Sequence, residues 1–177
     1  MKSPCAHGRG ETLGAIADIN LECLICWSEE GVLPLDLDPD ACMRAAKCPY
    51  PLVNLAQVMR APSGRVHGPA NARAFAAALN AMMLAWHIAR SQPADCQLLL
   101  GLCLSDTTAL AKSSPGQIVQ MAEHGAYQLL PRWSNSRGFW NSLVRCAVTA
   151  DELGLEAAKL LGLQLLISER LGQRQCA

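Results

Sequence analysis

"SSPGQIVQMAEHG", residues 113–125, decides how this chain is read. Two small polar residues precede a proline, an amphipathic run follows, and a glycine closes it. Proline in a first helical turn costs little, because that N–H has no intrahelical partner in any case. Ile118, Val119 and Met121 supply an anchoring face, while Gln117, Gln120 and His124 fall on the open side with the polarity and length to reach base edges or phosphates. Just upstream, "LSDTTALAK" reads as a shorter helix that Asp106 helps to start, with Ala109 and Leu110 inward and Ser113 to Gly116 as the turn. The pair has the grammar of a helix-turn-helix. Many helical hairpins that only pack, or only dock to protein, share that grammar.

Working outward, the same phrase recurs at a constant offset. "CPYPLVNLAQVM", from Cys48, aligns with "SPGQIVQMAEHG", from Ser114: Pro49 with Pro115, Leu52 with Ile118, Val53 with Val119, Leu55 with Met121 and Ala56 with Ala122. "DPDACMRAAK" precedes the first copy as "SDTTALAKS" precedes the second, and Asn20 and Asn80 sit in longer apolar helices upstream of each. So large a period predicts two related lobes rather than a solenoid. The expected organisation is a flexible tail over 1–12, an N-terminal helical lobe over 13–70 and a second lobe over 71–177, each with a helix-turn-helix-like hairpin. Gly64, Gly68 and Pro69 mark the joint.

The fold class follows from periodicity. Ile16, Ile19, Leu21, Leu24 and Ile25 recur at near-helical spacing, as do Phe75, Leu79, Met82, Met83, Trp86 and Ile88. Only "YQLLPRW" suggests a short extended segment. Toward the C-terminus, Thr149 and Glu152 fit a capping box, Leu153, Ala157, Leu160, Leu161, Leu165 and Ile167 form a wide apolar face, and Gly172 is placed to stop the helix. That face predicts a cover, either from the chain's own core or from a second subunit. The expectation is an all-α protein. With 177 residues and 51% hydrophobic content it buries a sizeable core. It lacks an apolar run of membrane-spanning length or a signal-peptide core, which predicts a cytoplasmic chain without membrane contact.

Net charge is zero, yet the charges are segregated. Eight acids lie between Glu11 and Asp40, none between Ala41 and Ala94, and none between His124 and Ala150. The acid-free runs carry Arg44, Lys47, Arg60, Arg65, Arg73 and Arg90, then Arg132, Arg137 and Arg145. Such blocks give a neutral protein a positive face, unless acids and bases from different segments pair in the fold. Arg60, Arg65, Arg132 and Arg137, just beyond the two second helices, are the expected phosphate contacts. Gln117, Gln120 and His124 complete the candidate DNA surface.

Nine cysteines are many, and an odd number without a secretory signal is a poor disulfide framework. Cys23 and Cys26 form a C-x-x-C, and Cys42 and Cys48 follow, so a four-thiolate zinc site has its ligand count. Leu21, Leu24, Ile25 and Trp27 around the first pair favour buried thiols instead. The expectation is therefore no metal and no other cofactor. His7, His67, His87 and His124 fall into no catalytic spacing. A P-loop, G-x-G-x-x-G or H-E-x-x-H is likewise lacking, which points away from an enzyme.

"DINL" at 18–21, "LLGL" at 99–102, "QIVQMAE" at 117–123 and "RW" at 132–133 together resemble the FlhD subunit of the flagellar master activator FlhDC and its relatives that switch on conjugative transfer. Residues 75–171 follow that family's order of elements, and the first 70 look like a diverged copy of its early part. The resemblance implies an all-helical dimerising subunit that joins a FlhC-type partner, binds promoter DNA and recruits RNA polymerase. The alternative expectation is a helical protein–protein adaptor without DNA contact.

Overall fold

The computed structural model describes residues 5–33, 37–60 and 71–175, and the side chains of 10–33, 37–60 and 71–172. Within them the chain is all-α: α1 Cys5–Glu29, α2 Pro39–Ala46, α3 Leu55–Met59, α4 Ala72–Ser91, α5 Pro93–Leu100, α6 Leu104–Lys112, α7 Pro115–Gly125, α8 Arg137–Val148 and α9 Glu152–Gln175, with a 3-10 turn at Ala126–Gln128. Among the described residues the only β pairing is an isolated bridge between Val53 and Pro131. None of the described helices is long and apolar enough to cross a membrane.

α4 is the central element, and its sequence explains why. Ala74, Ala77, Ala78, Ala81, Ala85 and Ala89 are buried along one side, and side chains this small let neighbouring backbones approach closely. α1, α5, α6 and α7 all pack on α4. On the far side of α1, α2 carries the chain to α8, and α9 lies against α8 and α5. Five aromatics thread this side in edge-on contact: Trp27, Trp140, Phe139, Trp133 and Tyr50, with ring centroids 5.2–5.9 Å apart. Such pairs add roughly 0.5–1.5 kcal/mol each beyond the area they bury.

Local sequence sets several boundaries. Pro39, Pro93 and Pro115 each stand in a first turn, Asp38 caps α2 through Ala41 N at 2.6 Å, and Gly101 ends α5 in the left-handed region at φ 68°. α7 opens with a complete capping box, Ser114 Oγ accepting from Gln117 N at 3.3 Å and Gln117 Oε1 accepting from Ser114 N at 2.8 Å. The box expected at Thr149 and Glu152 is not formed. Thr149 closes α8, its hydroxyl donating to Arg145 O at 2.9 Å, and Asp151 caps α9 by accepting from Gly154 N at 3.0 Å.

Three organisational expectations are corrected. Residues 5–12 belong to α1 rather than to a flexible tail, because extending a packed helix needs no new nucleus, and this outweighs the poor propensity of Gly8 and Gly10. Gly172 does not stop α9, which continues to Gln175. Finally, buried hydrophobic residues from Ile19 to Val58 and from Ala74 to Leu166 form one cluster that spans both expected lobes. The joint expected at Gly64, Gly68 and Pro69 lies outside the described residues.

The two aligned blocks differ in helix content. Residues aligned with the first half of α7 are not helical: from Cys48 to Asn54 the chain is irregular, and only Leu55–Met59 forms a short helix. Asn20 takes hold of that irregular stretch. Its amide donates to Ala46 O, Cys48 O and Tyr50 O at 3.2, 3.4 and 3.0 Å, and its carbonyl accepts from Leu52 N at 2.8 Å. Asn80, its aligned counterpart, is exposed. α2 packs on α1 and α8, and α3 packs on α7. The two aligned second helices touch each other, with Val58 against Gly125, where a Cβ would lie 2.9 Å from Val58 O.

Candidate nucleic-acid interface

α6 and α7 keep helix-turn-helix order, with a turn of only Ser113 and Ser114 between them. They are held chiefly by α4 rather than by each other. Leu110, Ile118 and Ala122 point into the core, Met121 is half-buried, and Ala109 and Val119 are exposed, contrary to their expected inward placement. The outward side of α7 carries Gly116, Gln117, Val119, Gln120 and Glu123, with His124 half-buried at its end. Gln117 is spent on the capping box. His124 Nδ1 lies 2.8 Å from Gln120 O, one turn back on the same helix. Gln120 is thus the expected base-reaching residue on this helix that the structure leaves fully outward.

The arginines sort differently from their sequence pattern. Arg132 is not a surface cation: it is 2% exposed. Its Nε and Nη2 donate to Glu169 Oε2 at 3.1 and 2.9 Å and its Nη1 to Leu99 O at 2.6 Å, while its plane lies over Trp133, 4.8 Å from the ring centroid. Desolvation pushes its pKa below the ordinary value against the pull of Glu169. Glu169 Oε2 also accepts from Trp133 Nε1 at 3.0 Å. Gly101 completes this cluster, since a Cβ there would strike Arg132 Nη2 and come within 2.9 Å of Glu169 Oε1. The "LLGL" and "RW" phrases therefore meet each other, inside the protein.

Arg60 is exposed but bound by Asp106 Oδ2, whose hydrogen bond and charge raise the guanidinium pKa further. Arg73 lies 3.5 Å from Glu29. Three bases of the acid-free runs, Arg60, Arg73 and Arg132, thus pair with acids from distant segments, while Lys47, Arg90, Arg137 and Arg145 stay exposed. Arg137 remains exposed at the start of α8 and Arg145 on its outer side. Arg65 lies outside the described residues.

Between α3 and α6 a groove of about 440 Å³ is lined by Asn54, Gln57, Arg60, Cys103, Gln128 and Glu169, among others. Cys103 caps α6 by accepting from Asp106 N at 3.4 Å and is half-buried. Met83, Trp86, His87, Arg90 and Ser91 line a second groove of about 400 Å³ on α4, with Arg90 over the Trp86 ring at 5.0 Å. His87 is exposed there.

The four thiols weighed for zinc are separately buried. Cys23 and Cys26 are 0% and 1% exposed on α1, Cys42 lies on α2, and Cys48 lies in the stretch that Asn20 holds. Burial pushes the Cys26 and Cys48 thiols up to about 12, the opposite of what a thiolate ligand needs. Among the described residues no three His, Cys, Asp or Glu side chains are gathered in metal-binding reach.

Sequence reasoning missed the Arg132–Glu169 cluster, because the two partners are 37 positions apart and no local pattern joins them. Comparison with protein-family models, with curated proteins and with solved structures gives no match to this chain.

Proposed function

We propose that this chain is a helical binding subunit of a transcription-regulatory complex, working mainly by docking to protein and adding weak, sequence-independent contact with DNA. The observation that carries this reading is the fate of the cations. Arg132 is internal, Arg60 is paired with Asp106, and the outward side of α7 holds Glu123 with no lysine or arginine. A surface of that kind draws little phosphate, and phosphate neutralisation supplies essentially all non-specific DNA affinity. A partner subunit then brings the DNA specificity; the resemblance implies an FlhC-type partner and, beyond it, RNA polymerase. Arg137 and Arg145 are this chain's positioning contacts.

A second reading, direct base recognition by α7, is favoured by one feature: a firmly capped helix after a two-residue turn, with Gln120 facing outward. Fluorescence anisotropy of the full chain on several duplex sequences, at about 50 mM and about 200 mM salt, separates the two. Weak binding with no sequence preference, and a salt slope that shrinks by about one for Arg137→Ala, is the expected result. A preferred sequence whose advantage disappears in Gln120→Ala and His124→Ala would establish the second reading. No DNA affinity at the lower salt would leave a pure protein adaptor.

A further inference from the structure

α4 buries its alanine side and leaves a stripe bare. Ala76, Asn80, Met83, His87 and Arg90 are exposed at steps of three and four, along about 21 Å of helix. Toward the C-terminal end of the stripe, Met83, Trp86, His87, Arg90 and Ser91 line the groove of about 400 Å³. Trp86 is its fixed part. The indole Nε1 donates to Ser113 O, in the turn between α6 and α7, at 3.0 Å, and Arg90 lies over the ring. Met83, 41% exposed, brings an adaptable apolar side chain to the same groove. Tryptophan, methionine and arginine are the side chains enriched where proteins meet, and an anchor that is already held loses little freedom on binding.

Charge selects the occupant. α4 carries Arg73, His87 and Arg90 and no acid over its 20 residues. Arg73 lies beside Glu29, whereas Arg90 has no ion pair among the described residues, and no carboxylate lines the groove. Lys112, exposed and adjacent to Ser113, brings a further cation to the side on which Trp86 is tied. So few cations, with a methionine and an indole among them, suit a phosphate backbone poorly. A bulky apolar side chain flanked by carboxylates suits them well, since the first covers Met83 and Trp86 and the second meet Arg90 and Lys112.

We infer that this stripe of α4 is a docking site for an acidic linear segment of another protein, with one bulky apolar side chain over Met83 and Trp86 and carboxylates on Arg90 and Lys112. The inference rests on the reading that this chain works mainly by docking to protein, and it places that docking on one helix. With a single anchor in a small groove the contact is transient, with a Kd of about 10–100 μM.

Fluorescence anisotropy of the full chain with a short labelled peptide, in which leucine and phenylalanine alternate with aspartate and glutamate, tests this. Two control peptides carry amides in place of the acids, or serine in place of the apolar residues. The expected result is saturable binding of the first peptide alone, weakened about tenfold by Arg90→Glu and about threefold by Met83→Ser, and unchanged by Arg137→Glu on α8. Met83 and Arg90 are exposed, so helical circular dichroism should stay that of the parent. Equal binding of either control, or an Arg137→Glu chain weakened as much as Arg90→Glu, overturns the proposal. So does the absence of saturable binding, displacement of the peptide by duplex DNA, or a dimer of this chain that Arg90→Glu dissociates. The docking reading itself falls by a different result, a preferred DNA sequence that Gln120→Ala and His124→Ala abolish.

Discussion

Asn20 and Arg132 show how single polar side chains hold irregular backbone that helices cannot satisfy. The 46–52 stretch has carbonyls turned inward, and the Asn20 amide is the buried donor that meets three of them. Asn20→Ala leaves these groups and Leu52 N unpaired. Unfolding free energy should drop by roughly 3 kcal/mol, since each orphaned buried group costs about 1–3 kcal/mol and the longer contacts are weak. Urea unfolding followed by circular dichroism measures it. Arg132 gives a sharper contrast with what its neighbourhood in sequence suggests. An arginine that only touched phosphate would cost less than about 0.5 kcal/mol of stability on removal. Removing a buried one takes the donor from Leu99 O and leaves Glu169 with the Trp133 Nε1 bond alone, and Arg132→Ala should cost about 3 kcal/mol. Arg132→Lys should recover only part of this, because an ammonium cannot reproduce the forked contacts. A stability loss below 0.5 kcal/mol for Arg132→Ala would return this residue to the list of DNA contacts.

At the scale of elements, α9 carries two glycines whose surroundings dictate opposite outcomes. Gly162 sits where a Cβ would collide with the Tyr50 phenol and come within 2.9 Å of Phe139 Cε2. The Tyr50 hydroxyl donates to Lys159 O at 3.0 Å, so the ring cannot yield without breaking that bond. Gly172 has open space around it. Gly162→Ala should destabilise by about 2 kcal/mol through overpacking, whereas Gly172→Ala should stabilise by roughly 0.5 kcal/mol through helix propensity near a frayed end. Thermal midpoints moving in the same direction for both variants would contradict these environments. The helices themselves were legible in the sequence, because periodicity and first-turn prolines are local signals: α4, α7 and α9 fall where they were expected. The repeat does not translate into equal helices. Its matches at Leu52, Val53, Leu55 and Ala56 are apolar residues that serve equally well in irregular packed chain and in a helix. Of the candidate site, Gln120 and Arg137 stand outward, Arg60 is exposed but bound to Asp106, and Arg132 is internal. A sequence displays a positive charge but not the distant carboxylate that consumes it.

For the molecule as a whole, the buried thiols link stability to pH in one direction only. Burial raises Cys26 and Cys48 to about 12 and Cys96 to about 11, from an ordinary 9.0, and raises Cys23 further. In the unfolded chain these thiols lose their protons near 9, while the native protein keeps them until 11 or above. Between those limits the unfolded state binds fewer protons than the native state, so stability must fall as pH rises. Below about pH 8 both states hold the same thiol protons and this contribution is flat. At pH 10 each thiol weakens the fold by roughly 1 kcal/mol, and the four together by several kcal/mol, a large part of a small domain's stability. Urea midpoints measured in reductant from pH 7 to pH 10 should therefore decline steeply above pH 9. Cys48→Ala tests the cause, because it removes one titrating group from the unfolded chain. Whatever the variant costs at pH 7, its further loss between pH 7 and pH 10 should be smaller than that of the parent by roughly 1 kcal/mol. An identical decline in parent and variant would mean that Cys48 ionises alike in both states, and that its burial is not what sets the alkaline limit of the fold.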